Sequence, residues 1–420
     1  MKTHNRAPAS SERIYKSPQE SRAQLGAIMI GGFEDGQKAQ IKDIFATKLE
    51  YDPVLEVNEV RGSEGIFNVT PLDIDGVTYL LGRKVEAAAP WGQPDVGPLV
   101  MSELDANRNI VSTTEILNPS SSGFSLEDPR ARQTSKGTII GVTAVSEEAG
   151  RVKAYPALIK LGTPKELLSG PFPQVRIIDK FGGGSQTAPI EGLVEGKNST
   201  SIDETNLIYR PEGMNHTLQV LDVANDRAAH VGFIDIPTDI PWALYKIGTT
   251  TPPEPLNDQP GLNDNVREFF FKFHGLNKTI DGEIVDPDTE SDDVVYRYSI
   301  GTARLLRWTE VDSDGKEKVS FSVDNISREP IITPESFPVL TDGRQKELHP
   351  DKRQAVYLCG SVPTRNTAGE LVREELFPNE GDMRTHNAEL DVGYIVANWD
   401  RTIPSELPQS LTANNRGIIF

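Results

Sequence analysis

Past residue 52 the chain reads as short runs of alternating apolar and polar residues with turn residues between them. The clearest runs are Val77-Thr78-Tyr79-Leu80-Leu81, Thr138-Ile139-Ile140-Gly141-Val142-Thr143, Asn206-Leu207-Ile208-Tyr209, Phe269-Phe270-Phe271-Lys272-Phe273 and Ala355-Val356-Tyr357-Leu358. A period of two predicts strands, because successive side chains leave a strand on opposite faces. Helical periodicity lies upstream: Ile41, Ile44, Phe45 and Leu49 share one helical face, Asp35 can cap it, and Asp52-Pro53 stops it. Residues 1–24 are polar and aperiodic and read as a flexible arm.

Many short hairpins leave many sheet edges, and edges must be closed, stacked or covered to avoid aggregation. The runs fall into five sets of about 60 residues, each long enough for a four-stranded blade. The expected sets are 52–110, 111–168, 169–236, 237–325 and 326–405. The fold class expected is therefore all-β, a five-bladed β-propeller with a short N-terminal helical extension. Residues 1–50 form the arm and helix, and 51–420 form the propeller. A pair of packed β-sandwiches fits the same pattern. The 35 glycines and 30 prolines suit the number of turns either fold needs. The acidic stretch 281–293 reads as a solvated loop insertion.

Composition adds limits. The chain has 420 residues, 37% of them hydrophobic, enough for a large core without staples. Its one cysteine, Cys359, rules out an internal disulfide and reads as a small core side chain. No apolar leader follows Met1 and no run approaches a membrane span, so a cytoplasmic protein is expected. The formal net charge of −19 disfavours nucleic acid and anionic membrane as partners. It suits a neutral ligand such as a sugar, and a local cationic pocket could still hold phosphate. The sequon Asn198-Ser199-Thr200 carries no weight without a secretory signal. A homo-oligomer stays open.

Five segments could carry chemistry. In Phe124-Ser125-Leu126-Glu127-Asp128-Pro129-Arg130 the proline keeps Asp128 out of the helical region, and Arg130 can hold or tune a nearby acid. A positioned carboxylic acid is what glycosidic cleavage needs, since the leaving oxygen must be protonated. A surface turn before the strand at 138–142 explains the same residues. In Ile66-Phe67-Asn68-Val69-Thr70-Pro71, Asn68 offers a donor and an acceptor to sugar hydroxyls, or sits at a turn. Arg210, at the end of Leu207-Ile208-Tyr209-Arg210-Pro211, suits a bidentate grip on an anion or a surface ion pair. Lys246-Ile247-Gly248 leads to Phe273-His274-Gly275, where His274 reads as a strand-end donor or a structural hydrogen bonder. His386 to Tyr394 gathers acids, Glu389 among them, before a strand. Trp91, Trp242 and Tyr245 could stack on sugar rings or pack in the core. No zinc spacing, phosphate loop, dinucleotide fingerprint or nucleophile elbow is present.

Taken in order, Phe67-Asn68, Glu127-Asp128-Pro129-Arg130, Tyr209-Arg210-Pro211, Lys246-Ile247-Gly248 with Pro252-Pro253, Phe273-His274-Gly275, Tyr298 to Ala303 and Cys359-Gly360 resemble glycoside hydrolase family 130, the β-mannoside phosphorylases and mannosidases. The resemblance spans about 52–400 and implies a five-bladed propeller with its site in the central funnel. It implies Asp128 as general acid, and Asn68, Arg83, Glu127, Arg130, Lys246 and Glu389 as substrate-binding residues. Arg210 and His274 would hold phosphate as co-substrate, with no other cofactor and no metal. It also implies a further phosphate-binding Arg or Lys within 174–205, where the match breaks and Lys180 is poorly spaced. Three functions fit: an inverting glycosidase or glycoside phosphorylase on β-mannosides or similar oligosaccharides, a non-catalytic carbohydrate-binding propeller, and a furanosidase-type hydrolase.

Overall fold

A computed structural model describes residues 54–85, 97–169, 175–177, 195–256, 266–334, 355–381 and 393–399, apart from single positions and short stretches inside those ranges. The arm and the helix expected at 35–49 lie outside them. Every described strand pairing is antiparallel, and the sheets form five blades, each built on a four-stranded path. Blade one runs outward through Ile66–Ile74, Val77–Lys84, Leu99–Leu104 and Ile110–Leu117. Blade two is Ser125–Thr134, Gly137–Glu148, Arg151–Leu161 and Val175–Ile177. Blade three is Gly196–Ser201, Asn206–Pro211, Thr217–Asp222 and Ala229–Asp235.

Blade four is Lys246–Thr249, Val266–Ile280, Val295–Val311 and Glu317–Asp324, with two short strands on the edges of its long hairpin. Blade five is Ser361–Arg365, Leu371–Leu376 and Gly393–Asn398, and its outermost strand is Val54–Glu59. The ladder of Ala355–Tyr357 with Asn379–Gly381 extends its inner hairpin. Val54 pairs with Asn398 and Glu59 with Gly393, so the start of the described chain covers an edge left by its end.

That closure shifts the blade boundaries from those expected. Residues 54–59 belong to blade five rather than blade one, Ile110–Leu117 to blade one rather than two, and Val175–Ile177 to blade two rather than three. Alternation along each strand marks strands well, but it carries no information on which distant strand is the partner.

The core is five apolar seams, one between each pair of neighbouring blades. Ile140, Val142 and Ala157 meet Leu72, Leu81 and Met101 between blades one and two. Leu158 meets Leu207, Tyr209 and Leu221 between two and three. Phe271 and Phe273 meet Ile208, Leu218 and Val220 between three and four. Phe270 and Ile300 meet Val356, Leu358 and Leu376 between four and five. Phe377 meets Ile66, Val69 and Leu80 where five returns to one. Alternation explains the sharing: Phe271 and Phe273 face one seam, and Phe270 faces the other. Each such buried side chain is worth about 1.5–3 kcal/mol. Trp242 packs in the seam between three and four and donates to the Ser327 carbonyl, so it is a core residue.

Innermost strands are also stitched to their neighbours around the axis. The Ala131 amide donates to Thr70 Oγ1 at 3.1 Å, and Asn198 N to Thr143 Oγ1 at 3.2 Å. Thr249 Oγ1 donates to the Asn198 carbonyl, and Asn379 Nδ2 to the Ile66 carbonyl at 3.0 Å. Because strands alternate in direction, the starts of the innermost strands and the loops joining second to third strands share one end of the propeller.

Candidate active site

Three consecutive innermost strands carry the same irregularity near their starts. Register runs from Phe67↔Arg83 to Thr70↔Leu81, from Glu127↔Thr143 to Arg130↔Gly141, and from Lys197↔Arg210 to Thr200↔Ile208. In each case two residues oppose one, which is a β-bulge. The first bulge residue is Asn68, Asp128 or Asn198, with φ of 50°, 54° and 62°. Left-handed backbone disfavours most L-residues but is cheapest for Asn and Asp. Each bulge turns a polar side chain toward the axis instead of into a seam.

The three side chains meet. Asn68 Nδ2 donates to Asp128 Oδ1 at 2.5 Å, and Asn198 Nδ2 donates to Oδ2 at 3.2 Å. Arg130 folds back so that one guanidinium nitrogen donates to the Asp128 carbonyl at 2.8 Å and another lies 3.5 Å from Oδ2. Asp128 keeps 16% of its side chain exposed. The surface turn expected around Glu127–Arg130 is therefore a strand interior, and the proline acts by shaping the bulge. Asn68 likewise lies inside a strand rather than at a turn before one. Glu127 is buried against Arg83, 2.7 Å from its guanidinium.

The opposite wall comes from blades three and four. Arg210 is buried, donates to the Ile247 carbonyl at 3.2 Å, and faces Lys197 directly across the strand pair. His274 stands opposite Gly248, in mid-strand rather than at a strand end. A Cβ at Gly248 would come within 2.4 Å of the His274 ring and 2.8 Å of Asn198 Oδ1, so only glycine lets both approach. Tyr298 closes this side, with its ring 5.5 Å from His274 and 5.3 Å from Tyr357.

Charge here is lopsided. Among the described residues Lys197, Arg210 and Lys246 form no ion pair with a carboxylate, and the Nε atoms of Arg210 and Arg130 lack a hydrogen-bond partner. Like charges directly opposed across strands, as Lys197 and Arg210 are, repel unless something neutralises them. Burial pushes the Asp128 carboxyl up, but Arg130, Arg83, the Asn68 amide and Lys197 more than offset this and hold it below the usual carboxylate range. Burial, helped by Arg210 and Arg130, holds His274 well below the usual histidine value, so its ring is neutral. Burial and Arg210 bring Lys246 down to about 8. Burial lifts Tyr298 to about 12 and the thiol of buried Cys359 to about 12.

Of the residues singled out in the sequence, Asn68, Arg83, Glu127, Asp128, Arg130, Arg210, Lys246 and His274 thus come to one funnel. Glu389, His386, Trp91 and Lys180 lie outside the described residues. Lys197 and Asn198 were missed. Lys197 is a cation inside the stretch 174–205, where the resemblance left one unaccounted for. The signal was Asn-x-Thr: Asn198-Ser199-Thr200 repeats Asn68-Val69-Thr70 on equivalent strands, and reading it only as a sequon hid the repeat. Among the described residues no three His, Cys, Asp or Glu side chains gather as a metal site.

No protein-family model matches the chain, and no curated protein matches it. Solved structures similar to it include a glycosyl hydrolase from Bacteroides ovatus, at 11% identity and TM-score 0.48, over 81% of this chain and 87% of that one. A β-1,2-mannobiose phosphorylase from Listeria innocua matches at 12% identity and TM-score 0.45, over 81% and 90%. A mannose phosphorylase from Leishmania mexicana matches at 14% identity and TM-score 0.32, over 86% and 92%.

Proposed function

We propose that the protein is a carbohydrate-active enzyme, an inverting glycoside phosphorylase acting on β-mannosides or similar oligosaccharides. One observation carries this reading: buried Arg210 and half-buried Lys197 and Lys246, none with a carboxylate partner among the described residues, face a single positioned carboxylate. Unpaired buried charge is costly, and a site that retains it is built for an anion. Phosphate bound by Arg210, Lys197, Lys246 and the neutral His274 stands opposite Asp128 across the funnel. A phosphate oxygen attacks the anomeric carbon as the glycosidic bond breaks, and Asp128 protonates the leaving oxygen. The proton comes in the end from hydrogenphosphate, so the products are a sugar 1-phosphate and a free hydroxyl, and the site regains its starting charge.

Its neighbours favour the ionised form of Asp128, so the proton it donates must arrive with the ligands. Anion binding supplies the means, because a negative charge beside Asp128 favours its protonated form and neutralises Lys197, one of the groups that hold the carboxyl down. One feature favours a second reading. Both Asp128 oxygens accept from asparagine amides, and a carboxylate so held can bind sugar hydroxyls without chemistry. Incubation with β-linked manno-oligosaccharides, with and without inorganic phosphate, separates the cases. Phosphorolysis gives sugar 1-phosphate only with phosphate present. Free sugar at the same rate without phosphate makes the protein a hydrolase, and binding with no cleavage across a broad glycan panel makes it a binding propeller.

A further inference from the structure

The loop between the second and third strands of blade four, 281–294, is the acidic stretch expected to be a solvated insertion. It opens on Asp281 and Gly282, both left-handed, and Glu283–Ile284 folds back to pair with Thr279 and Ile280. The Val285 amide donates to the Lys278 carbonyl at 2.9 Å, and turns at Asp286 and Ser291 shape the remainder. Together with the strands below, the loop shapes an open pocket of about 620 Å³ lined by Tyr245, Lys278, Thr289, Glu290, Ser291, Val294 and Tyr296. That volume is in the range of small-molecule sites.

Its lining has a definite chemistry. The Tyr245 and Tyr296 rings lie 5.5 Å apart, and Lys278 sits 4.6 Å from the Tyr245 ring centre. Lys278 donates to the Thr289 carbonyl at 2.9 Å, which fixes the loop over the tyrosines. The two rings pack on each other with Lys278 over one of them, so the lining is chiefly polar: hydroxyls, one cation and one anion, Lys278 and Glu290. Hydroxyls with one charge of each sign suit the hydroxyl rim of a pyranose. The balanced charge points to a neutral ring.

Its place is as telling. Tyr245 directly precedes Lys246 of the funnel, and Tyr296 is two residues before Tyr298 on one strand, so both tyrosines share a face about 7 Å apart. The cavity therefore adjoins the funnel at the same end of the propeller, within reach of one more sugar ring.

We infer that this cavity is a distal subsite for a neutral sugar unit, which makes the protein selective for chains longer than a disaccharide. The inference rests on the reading of the funnel as a glycoside site. Its test is calorimetric titration, without phosphate, of disaccharides each paired with its own trisaccharide, β-linked mannobiose and mannotriose first. Wild-type protein should bind at least one trisaccharide about tenfold or more tighter than its disaccharide. Tyr296→Ala should erase that gain and leave disaccharide binding unchanged. Ser291→Trp, at an exposed loop position that leaves the core intact, should fill the cavity and do the same. Equal affinity of each pair in wild type, or equal loss for both sugars in the variants, overturns the subsite alone. Binding of no saccharide in the panel overturns the glycoside reading beneath it.

Discussion

Two charged clusters among the described residues differ in one respect. At the seam between blades four and five, Lys272 Nζ sits 2.7 and 2.9 Å from the two oxygens of Glu374, and both side chains are 0% exposed. Ser361 Oγ donates to the same carboxylate at 2.8 Å and Trp399 Nε1 at 3.0 Å, while the Lys272 ammonium rests 4.9 Å from the Phe270 ring centre. Charge and hydrogen bonds there are complete. In the funnel Lys197, Arg210 and Lys246 have no carboxylate partner among the described residues, and Asn68 Oδ1 lacks a donor. A buried cluster that satisfies itself holds blades together, whereas one that does not is waiting for a ligand. Proteins keep such unmet groups where function needs them.

The comparison can be broken in order of effect. Asp128→Asn should lower turnover about 10²- to 10⁴-fold, the range for a positioned acid, with no loss of melting temperature; unchanged turnover removes Asp128 from the chemistry. Lys272→Met should do the reverse. It strands the Glu374 charge and should cost about 3–5 kcal/mol in denaturant unfolding, while the phosphate KM of folded protein stays put. Arg210→Met should raise the phosphate KM about 10- to 100-fold, the worth of one charge-assisted hydrogen bond, without lowering the melting temperature. A large stability loss there would put Arg210 in the same structural class as Lys272. The pH profile should show Lys246. It carries its charge below its pKa of about 8, so the phosphate KM should climb as pH rises through that value, and the climb should vanish in Lys246→Met. The smallest effect concerns the bulge. Asn198→Ala should be less stable than Asn198→Gly by about 1 kcal/mol, because glycine tolerates the left-handed backbone; equal stability would deny the strain.

Much of this was legible in the residues. Alternation marked the strands, and the ordered polar segments brought Asn68, Asp128, Arg210, Lys246 and His274 to one place. What stayed hidden was non-local or conformational. Nothing near Val54 announces a partner at Asn398, so blade boundaries slipped by a strand. A bulge leaves no mark in hydrophobic periodicity, since it is a backbone event whose only trace is a preference for Asn or Asp. For that reason Asn198 was read only as part of a sequon, its neighbour Lys197 drew no notice, and Glu127-Asp128-Pro129-Arg130 looked like a turn. Strand assignment rests on side-chain pattern, but the funnel rests on where that pattern is interrupted.

Titration of inorganic phosphate into the full-length protein by calorimetry, with Arg210→Met and Lys197→Met beside it, tests the central claim most directly. One phosphate per chain should bind at neutral pH, and either variant should weaken it at least tenfold. Absence of binding at millimolar phosphate, or binding that both variants leave intact, would contradict the anion site on which the proposed chemistry stands.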